Sequence, residues 1–409
     1  MQGLNEGIPI GERVRELRRW RGLTLSEVAG LAGITKQYLS MIENGRRPLD
    51  RRSLISALAT ALRVSETELV GGPHLGTDQV QSAPHLTVPE LRKALQASSP
   101  ADAAVDRARP LPELARLVTG HIEPARARDC IAEAGGLLPA AIEELHWHAA
   151  QPKDEADRRL ALETLVEACV SGCLIAKDLG YHDLAYVAVL RASEAAAALD
   201  DPVARGKADV LRMWAFPRDV SSWSRRLAAA AKAADALEPH AREPEGLQVL
   251  GMITLHAALA AAVVQRSGDT AHWLAEAMSL AGRVPDDAER NWLSFSATNA
   301  ALWQLAITVE RGEGGGTVLE MAKAIDPAKT GNRNRRACLY LDTSRGLARD
   351  PRMRAEAVRW LHRAEQTAPQ LIRNLPQARE TVTYLLAREI AAAGGRELRG
   401  MAARMGVPH

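Results

Sequence analysis

The stretch from Leu23 to Pro48 constrains this chain most, because it carries its own start and stop signals. Thr24-Leu25-Ser26-Glu27 is a capping box: the Thr24 hydroxyl meets the orphan N–H of Glu27, whose carboxylate reaches back. Val28, Ala29 and Ala32 then give this short helix a small apolar side. Gly33 lets the chain turn, Ile34 plugs the core, and Thr35 caps a second helix. In that helix Tyr38, Leu39 and Ile42 recur at helical spacing until Asn44-Gly45 stops it. Upstream, Val14, Leu17 and Trp20 form an apolar stripe on a helix that Gly22 ends, with Arg13, Arg15 and Arg19 expected on its solvated face.

Two short helices joined by a glycine turn are a DNA-binding architecture, the second helix entering the major groove. Its exposed residues would be Lys36, Gln37, Ser40 and Met41. Lysine donates to guanine O6 and N7, and glutamine pairs with adenine N6 and N7. Tyr38 either packs half-buried or stacks on a sugar. Arg46 and Arg47 follow where phosphates pass, and the helix N-terminus itself favours a phosphate. The net charge of +2 divides accordingly. Residues 1–70 carry eleven Arg and Lys against eight Asp and Glu, and the remainder 41 against 42.

These residues resemble the Xre family of phage-repressor and Cro-type helix-turn-helix domains. The likeness runs from about Ile10 to Val70 through Leu23-Thr24, Ser26-Glu27-Val28-Ala29, Ala32-Gly33-Ile34 and Leu39-Ser40, then Ile42-Glu43-Asn44-Gly45-Arg46-Arg47-Pro48 and a helix at 51–62. The resemblance implies a five-helix DNA-binding domain over residues 8–70. It makes Lys36, Gln37 and Met41 the base-reading positions, and Thr35, Tyr38, Ser40 and Asn44 complete the DNA-facing set. It also implies a buried ion pair between Arg18 and Glu43. Leu25 departs from the pattern, where many members have a phosphate-touching glutamine; Ser26 is its substitute. Met41 suits a thymine methyl better than a polar contact.

Residues 71–110 hold Gly71-Gly72-Pro73, Pro84, Pro89, Pro100, Pro110 and Pro112, which reads as a linker with one short helix near 89–97. From 111 to 393 helix follows helix, and 394–409 is a tail. Among the segments expected as helices are 124–134, 138–150, 182–199, 287–311 and 333–348. Aromatics are only 4% while Ala, Leu and Arg abound, a composition that builds helices rather than sheets. Gly180, Gly268, Gly312 and Asp350 follow at 88, 44 and 38 residues, an imperfect period for helical-pair repeats. The expected fold is therefore all-α, a helix-turn-helix domain followed by a tetratricopeptide-like solenoid. Leu137-Leu138-Pro139, Leu179-Gly180-Tyr181-His182-Asp183 and Tyr340-Leu341-Asp342 resemble the sensor region attached to Xre-type domains in actinobacterial regulators.

No His-Glu-x-x-His, Walker loop or Gly-x-Ser-x-Gly elbow is present, so no enzyme is expected. The glycines at 312 and 314–316 follow a helical pattern and read as a connector. Cys169 and Cys173 share a helix face without a second Cys/His pair nearby, and read as small buried residues. His146 and His148 read as partly buried rather than as ligands. No metal or cofactor is expected. No apolar run approaches a membrane span and no secretory signal stands at the N-terminus, so the expected place is the cytoplasm. Trp292, Phe295, Asn299 and Trp303 recur at three- and four-residue steps. They read either as core or as one face of an effector site completed by Arg335, Arg336 and Tyr340. The expected partners are double-stranded DNA with a palindromic operator, a second copy in a homodimer, and a small-molecule or peptide effector, with no membrane. The alternatives are a protein-interaction scaffold and an antitoxin or plasmid-type repressor without effector.

Overall fold

The computed structural model describes residues 9–71, 73, 78–97, 108–215, 220–287, 291–388 and 395–408. Among the described residues every regular element is a helix. The N-terminal domain comprises α1 (Ile10–Trp20), α2 (Leu25–Leu31), α3 (Lys36–Glu43), α4 (Arg52–Leu62) and α5 (Glu66–Val70). Val14, Val28, Leu39, Leu49, Leu58, Leu62 and Leu69 form its fully buried core. α1 crosses α3 at backbone contact: a Cβ on Gly11 would lie 2.1 Å from the Ile42 carbonyl oxygen, so no other residue fits there. Ser65 and Glu68 form a second capping box on α5.

The remaining helices stack largely in chain order, each packing on the next. Glu155–Asp178 lies on His182–Leu199, Val220–Leu237 and Ser267–Ala281 flank Pro244–Val263, and Arg333–Ala348 lies on Arg354–Thr367. This is a helical-repeat stack. Its two ends meet. Asp129 accepts the backbone N–H of Gln370 and Leu371, each at 2.8 Å, and so caps the helix Pro369–Ile372. Asn334 donates to the Arg126 carbonyl at 2.8 Å, and His85 bonds Asn374 at 3.0 Å. One core consequently runs from Val88 to Val407, and a second fills the middle of the stack.

Several segments differ from expectation. Within the presumed linker, helix Val88–Ala97 sends Val88, Leu91, Ala94 and Leu95 into the main core. Within the presumed tail, Gly395–Arg404 does the same with Leu398, Met401 and Ala402. Ile131–Ala150 is one helix that runs through Gly135-Gly136-Leu137, where a break was expected, and carries Pro139 inside it. Helix 287–311 begins only at Ala297, with Ser296 capping it, because Leu293 and Ser294 take left-handed conformations. Asn291 and Gln248 hold that irregular loop together by hydrogen bonds to the Phe295 carbonyl and the Trp292 N–H. Trp292 and Phe295 therefore do not share a helix face with Asn299 and Trp303. The helix Pro244–Val263 is long and apolar enough for a membrane span, but it is wholly buried between its neighbours.

Candidate nucleic-acid interface

α2, the turn and α3 are built by the signals their residues carry. Thr24 Oγ1 accepts from Glu27 N–H at 3.2 Å and Glu27 Oε2 accepts from Thr24 N–H at 2.7 Å. The bond from the Thr24 backbone holds the Glu27 carboxyl below its usual range. Gly33 turns the chain at φ 66°, and Ile34 N–H donates to the Ala29 carbonyl at 2.9 Å. Thr35 caps α3 by accepting from Tyr38 N–H at 3.1 Å.

α3 is held from behind. Arg18 Nε and Nη2 donate to the two Glu43 oxygens at 2.6 and 2.8 Å, and Nη1 donates to the Leu23 carbonyl at 3.0 Å. Both side chains are buried, and the bond to Glu43 raises the Arg18 pKa. A bidentate guanidinium–carboxylate pair fixes direction as well as distance. It therefore sets how α3 lies on α1.

The opposite face of α3 is free. Lys36, Gln37 and Met41 are exposed, Ser40 partly so, and Ser26, Arg46 and Arg47 flank them in the open. Thr35 is exposed but engaged as the cap, and Tyr38 is half-buried against the domain core. Asn44 is exposed but engaged, donating to the Ser40 carbonyl at 2.8 Å and accepting from Arg15 at 3.4 Å. One arginine expected on the solvated face is not there: Arg13 is buried and donates to the Leu69 carbonyl at 3.4 Å, tying α1 to the end of α5.

The domain is docked on the repeat stack through the Leu49–Arg52 segment and, at the end of α3, through Gly45, by residues of the stack that sequence reasoning missed. Arg345 Nη2 donates to the Asp50 carbonyl at 2.6 Å, and Arg349 Nη2 meets the Asp50 carboxylate at 3.0 Å. Glu310 accepts from the Arg52 backbone N–H and, at 3.0 Å, from its guanidinium. Glu380 accepts from Leu49 N–H at 3.0 Å, and Arg388 donates to the Gly45 carbonyl at 2.8 Å. Burial pushes the Asp50 pKa up, but Arg349 and Arg345 outweigh it and hold the carboxyl below its usual range. Glu380 has no such cation in contact, and burial pushes it up to about 7. The spacing of Arg345 and Arg349 placed them on one helix face, yet nothing in sequence pointed to a partner some three hundred residues away.

Of the residues read as an effector site, Asn299, Trp303 and Arg335 are brought together, whereas Trp292 and Tyr340 meet other partners. Tyr340 packs on Trp360, and Trp292 Nε1 donates to Glu167 at 3.3 Å. Asn299 is buried and accepts from Arg335 Nε at 3.0 Å. Trp303, with Arg335, lines a cavity of about 250 Å³ that Trp292, Asn299, Arg336 and Tyr340 do not line. His146 is buried, and burial lowers its pKa to about 4. Cys169 and Cys173 are buried, and burial raises the Cys173 thiol to about 12. Among the described residues no group of three or more His, Cys, Asp or Glu is placed to hold a metal ion.

A compact five-helix domain in which α3, the helix after the turn, is pinned to α1 and faces outward defines a DNA-binding protein of the helix-turn-helix class. The helix-turn-helix domain family profile matches residues 9–70. The chain is 46% identical over 61 residues to the HTH-type transcriptional regulator y4dJ of Sinorhizobium fredii, covering 15% of this chain and 78% of that protein. It is 40% identical over 62 residues to the HTH-type transcriptional regulator RghRB of Bacillus subtilis, covering 15% of this chain and 45% of that protein. It is 34% identical over 65 residues to the HTH-type transcriptional regulator SinR of Bacillus subtilis, covering 16% of this chain and 59% of that protein. The chain belongs to the helix-turn-helix transcriptional regulators, a kinship carried by its first seventy residues. No solved structure matches it.

Proposed function

We propose that this regulator reads a specific double-stranded site by laying α3 in the major groove. Lys36, Gln37 and Met41 meet base edges, while Ser26, Arg46, Arg47 and the N-terminus of α3 meet phosphates. One such helix reads only a few base pairs, too few to single out a site in a genome. Two copies on a two-fold axis read a palindromic operator, with half-sites about 34 Å or a multiple apart. The tetratricopeptide-like repeat stack supplies the dimer contact and an effector site. The observation that carries the reading is the exposure of Lys36, Gln37 and Met41 in the full chain, with the docking contacts made at Leu49, Asp50 and Arg52 and, past the end of α3, at Gly45.

The test begins with selection of a binding site from random duplex DNA. Lys36→Ala and Gln37→Ala should each cost about 1–3 kcal/mol on the selected site and relax its sequence. Arg46→Ala should weaken binding to all sequences and flatten the salt dependence. Unchanged affinity in both Lys36→Ala and Gln37→Ala overturns the assignment of α3. Sedimentation that finds a monomer both free and on DNA removes the palindrome.

A further inference from the structure

The cavity at the centre of the stack has a character of its own. Its wall is drawn from both ends of the stack, from Leu174 and Trp214 to Leu371 and Gln377, and the DNA-binding domain closes part of it with Arg52 and Gly71. Part of the lining is apolar, with Leu174, Met252, Leu259, Leu293 and Leu341. The rest carries indole and guanidinium groups. Trp223 and Trp303 both line the cavity at 2% and 7% exposure, and both indole N–H groups are buried without an acceptor. An indole N–H can only donate, so each calls for an acceptor that the protein does not provide. His256, 1% exposed and edge-on to Trp214 and Trp303, leaves Nε2 equally unmet.

The charge balance points the same way. Arg52, Arg126, Lys177, Arg226, Arg335 and Arg345 line the cavity against Asp178 and Asp342. Most of these cations have carboxylate partners: Glu310 for Arg52, Glu123 for Arg126, Asp178 for Lys177 and Asp342 for Arg345. Arg335 is met by the neutral Asn299 amide and by the Trp303 ring, whose centroid is 5.4 Å from its guanidinium carbon. Burial lowers the His256 pKa, and Arg226, Arg335, Lys177 and Arg52 lower it further, so the cavity is a region of positive potential.

We propose that this cavity binds a small organic acid, an apolar or aromatic body bearing one anionic group, with the anion on Arg335 and the indole N–H groups of Trp223 and Trp303. The inference rests on the effector reading and names its ligand class. Arg335, met by an amide and a ring rather than by a carboxylate, suits one negative charge, and Asp178 and Asp342 on the wall repel a polyanion. Binding reaches the DNA-binding domain directly. Arg52 and Arg345 line the cavity and also hold that domain, through Glu310 and Asp50. An acid that takes a hydrogen bond from either arginine weakens that hold and loosens the docking.

The probe is 1-anilinonaphthalene-8-sulfonate, an aromatic monoanion, titrated into the full-length protein and read by energy transfer from tryptophan. Its uncharged counterpart is N-phenyl-1-naphthylamine. Saturable one-site binding is expected, weakened about tenfold or more by Arg335→Gln, as loss of a charge-assisted bond implies. A smaller loss is expected for Trp303→Phe, which keeps the ring and removes the donor. The uncharged probe should not distinguish wild type from Arg335→Gln. Unaltered circular dichroism establishes that each variant is folded. Sulfonate binding indifferent to Arg335→Gln and Trp303→Phe overturns the site and leaves the effector reading to another surface. Binding that depends on Arg335 and speeds amide exchange at Leu49–Ile55 supports both. Binding that depends on Arg335 without any change there keeps the ligand site and removes the effector coupling. Displacement of the probe by short peptides but not by phenylacetate or decanoate overturns the organic acid.

Discussion

At the scale of single residues, Arg18 and Glu43 are the pair from which the N-terminal domain can least afford to lose one member. The two are buried and joined by two short bonds. Removing one partner leaves the other charged and desolvated, a loss of about 3–5 kcal/mol, whereas removing both is far cheaper. Glu43→Ala should therefore lower the melting temperature of the domain markedly, and the double variant with Arg18→Met should recover much of it. Equal melting temperatures for wild type and Glu43→Ala would place the pair in solvent. This pair was legible in advance, as were the Thr24 box, the Gly33 turn and the Thr35 cap, because each depends on neighbours in sequence or on a resemblance that covers the whole domain. Trp292 and Tyr340 were misplaced for the opposite reason. Their periodicity is the same whether they face a ligand, a core or an irregular loop. The loop at Asn291–Ser296 is decided by Gln248, which lies on another helix.

The N-terminus of α4 is the clearest case of an element completed by a distant part of the chain. Its N-cap residue, Arg51, makes no side-chain cap. The first free N–H groups of a helix need acceptors, and here Glu310 supplies one to Arg52 from the end of helix Ala297–Glu310. Its carboxylate also favours the positive end of the α4 dipole. Glu310→Ala should remove a cap, about 0.5–2 kcal/mol, and a charge that faces Arg52 and Arg345. Faster amide exchange confined to the first turn of α4 and the Asp50 region is the expected readout. Exchange unchanged there, with α4 as protected as in wild type, would mean that solvent can replace the carboxylate. Elements whose boundaries are written locally were read well, including α1–α4, His182–Leu199 and Arg333–Ala348. Ile131–Ala150 was split at Gly135-Gly136-Leu137, where glycines weaken a helix but burial of Ala134, Leu138, Ala141, Ile142 and Leu145 on the same helix prevails.

The closure of the stack and the docking of the DNA-binding domain make the chain one object, and neither follows from helical periodicity. The period indicates stacked helix pairs but says nothing about where a curving stack stops. The stack closes through Asp129, Asn334 and His85, which bond partners more than two hundred residues away. Two of the joints titrate near neutrality. Burial raises Glu380, at the docking seam, and Asp129, at the closure, each to about 7. Asp50 lies close enough to raise Glu380 further, while bonds from the Leu49 and Ile10 backbone and the nearby Arg388 pull the other way. A carboxyl raised in the folded state keeps a proton there that it has lost when exposed. Below its ordinary value, near 4.5, both states are protonated and nothing is at stake. Between there and about 7 the folded state binds more protons, so stability falls as pH rises, at up to about 1.4 kcal/mol per unit for each group. Above about 7 the loss is complete. The protein should therefore melt at a higher temperature at pH 5.5 than at pH 7.5 through these two groups. Glu380→Gln keeps an oxygen to accept from Leu49 N–H and removes the charge facing Asp50. At pH 7.5 it should melt above wild type, and the gap between the two pH values should narrow to the part Asp129 contributes. Amide exchange at Leu49 should lose its pH-dependent excess in the same variant. A gap as wide in Glu380→Gln as in wild type would show that Glu380 stays ionised in the docked state, with Arg388 rather than a proton balancing it.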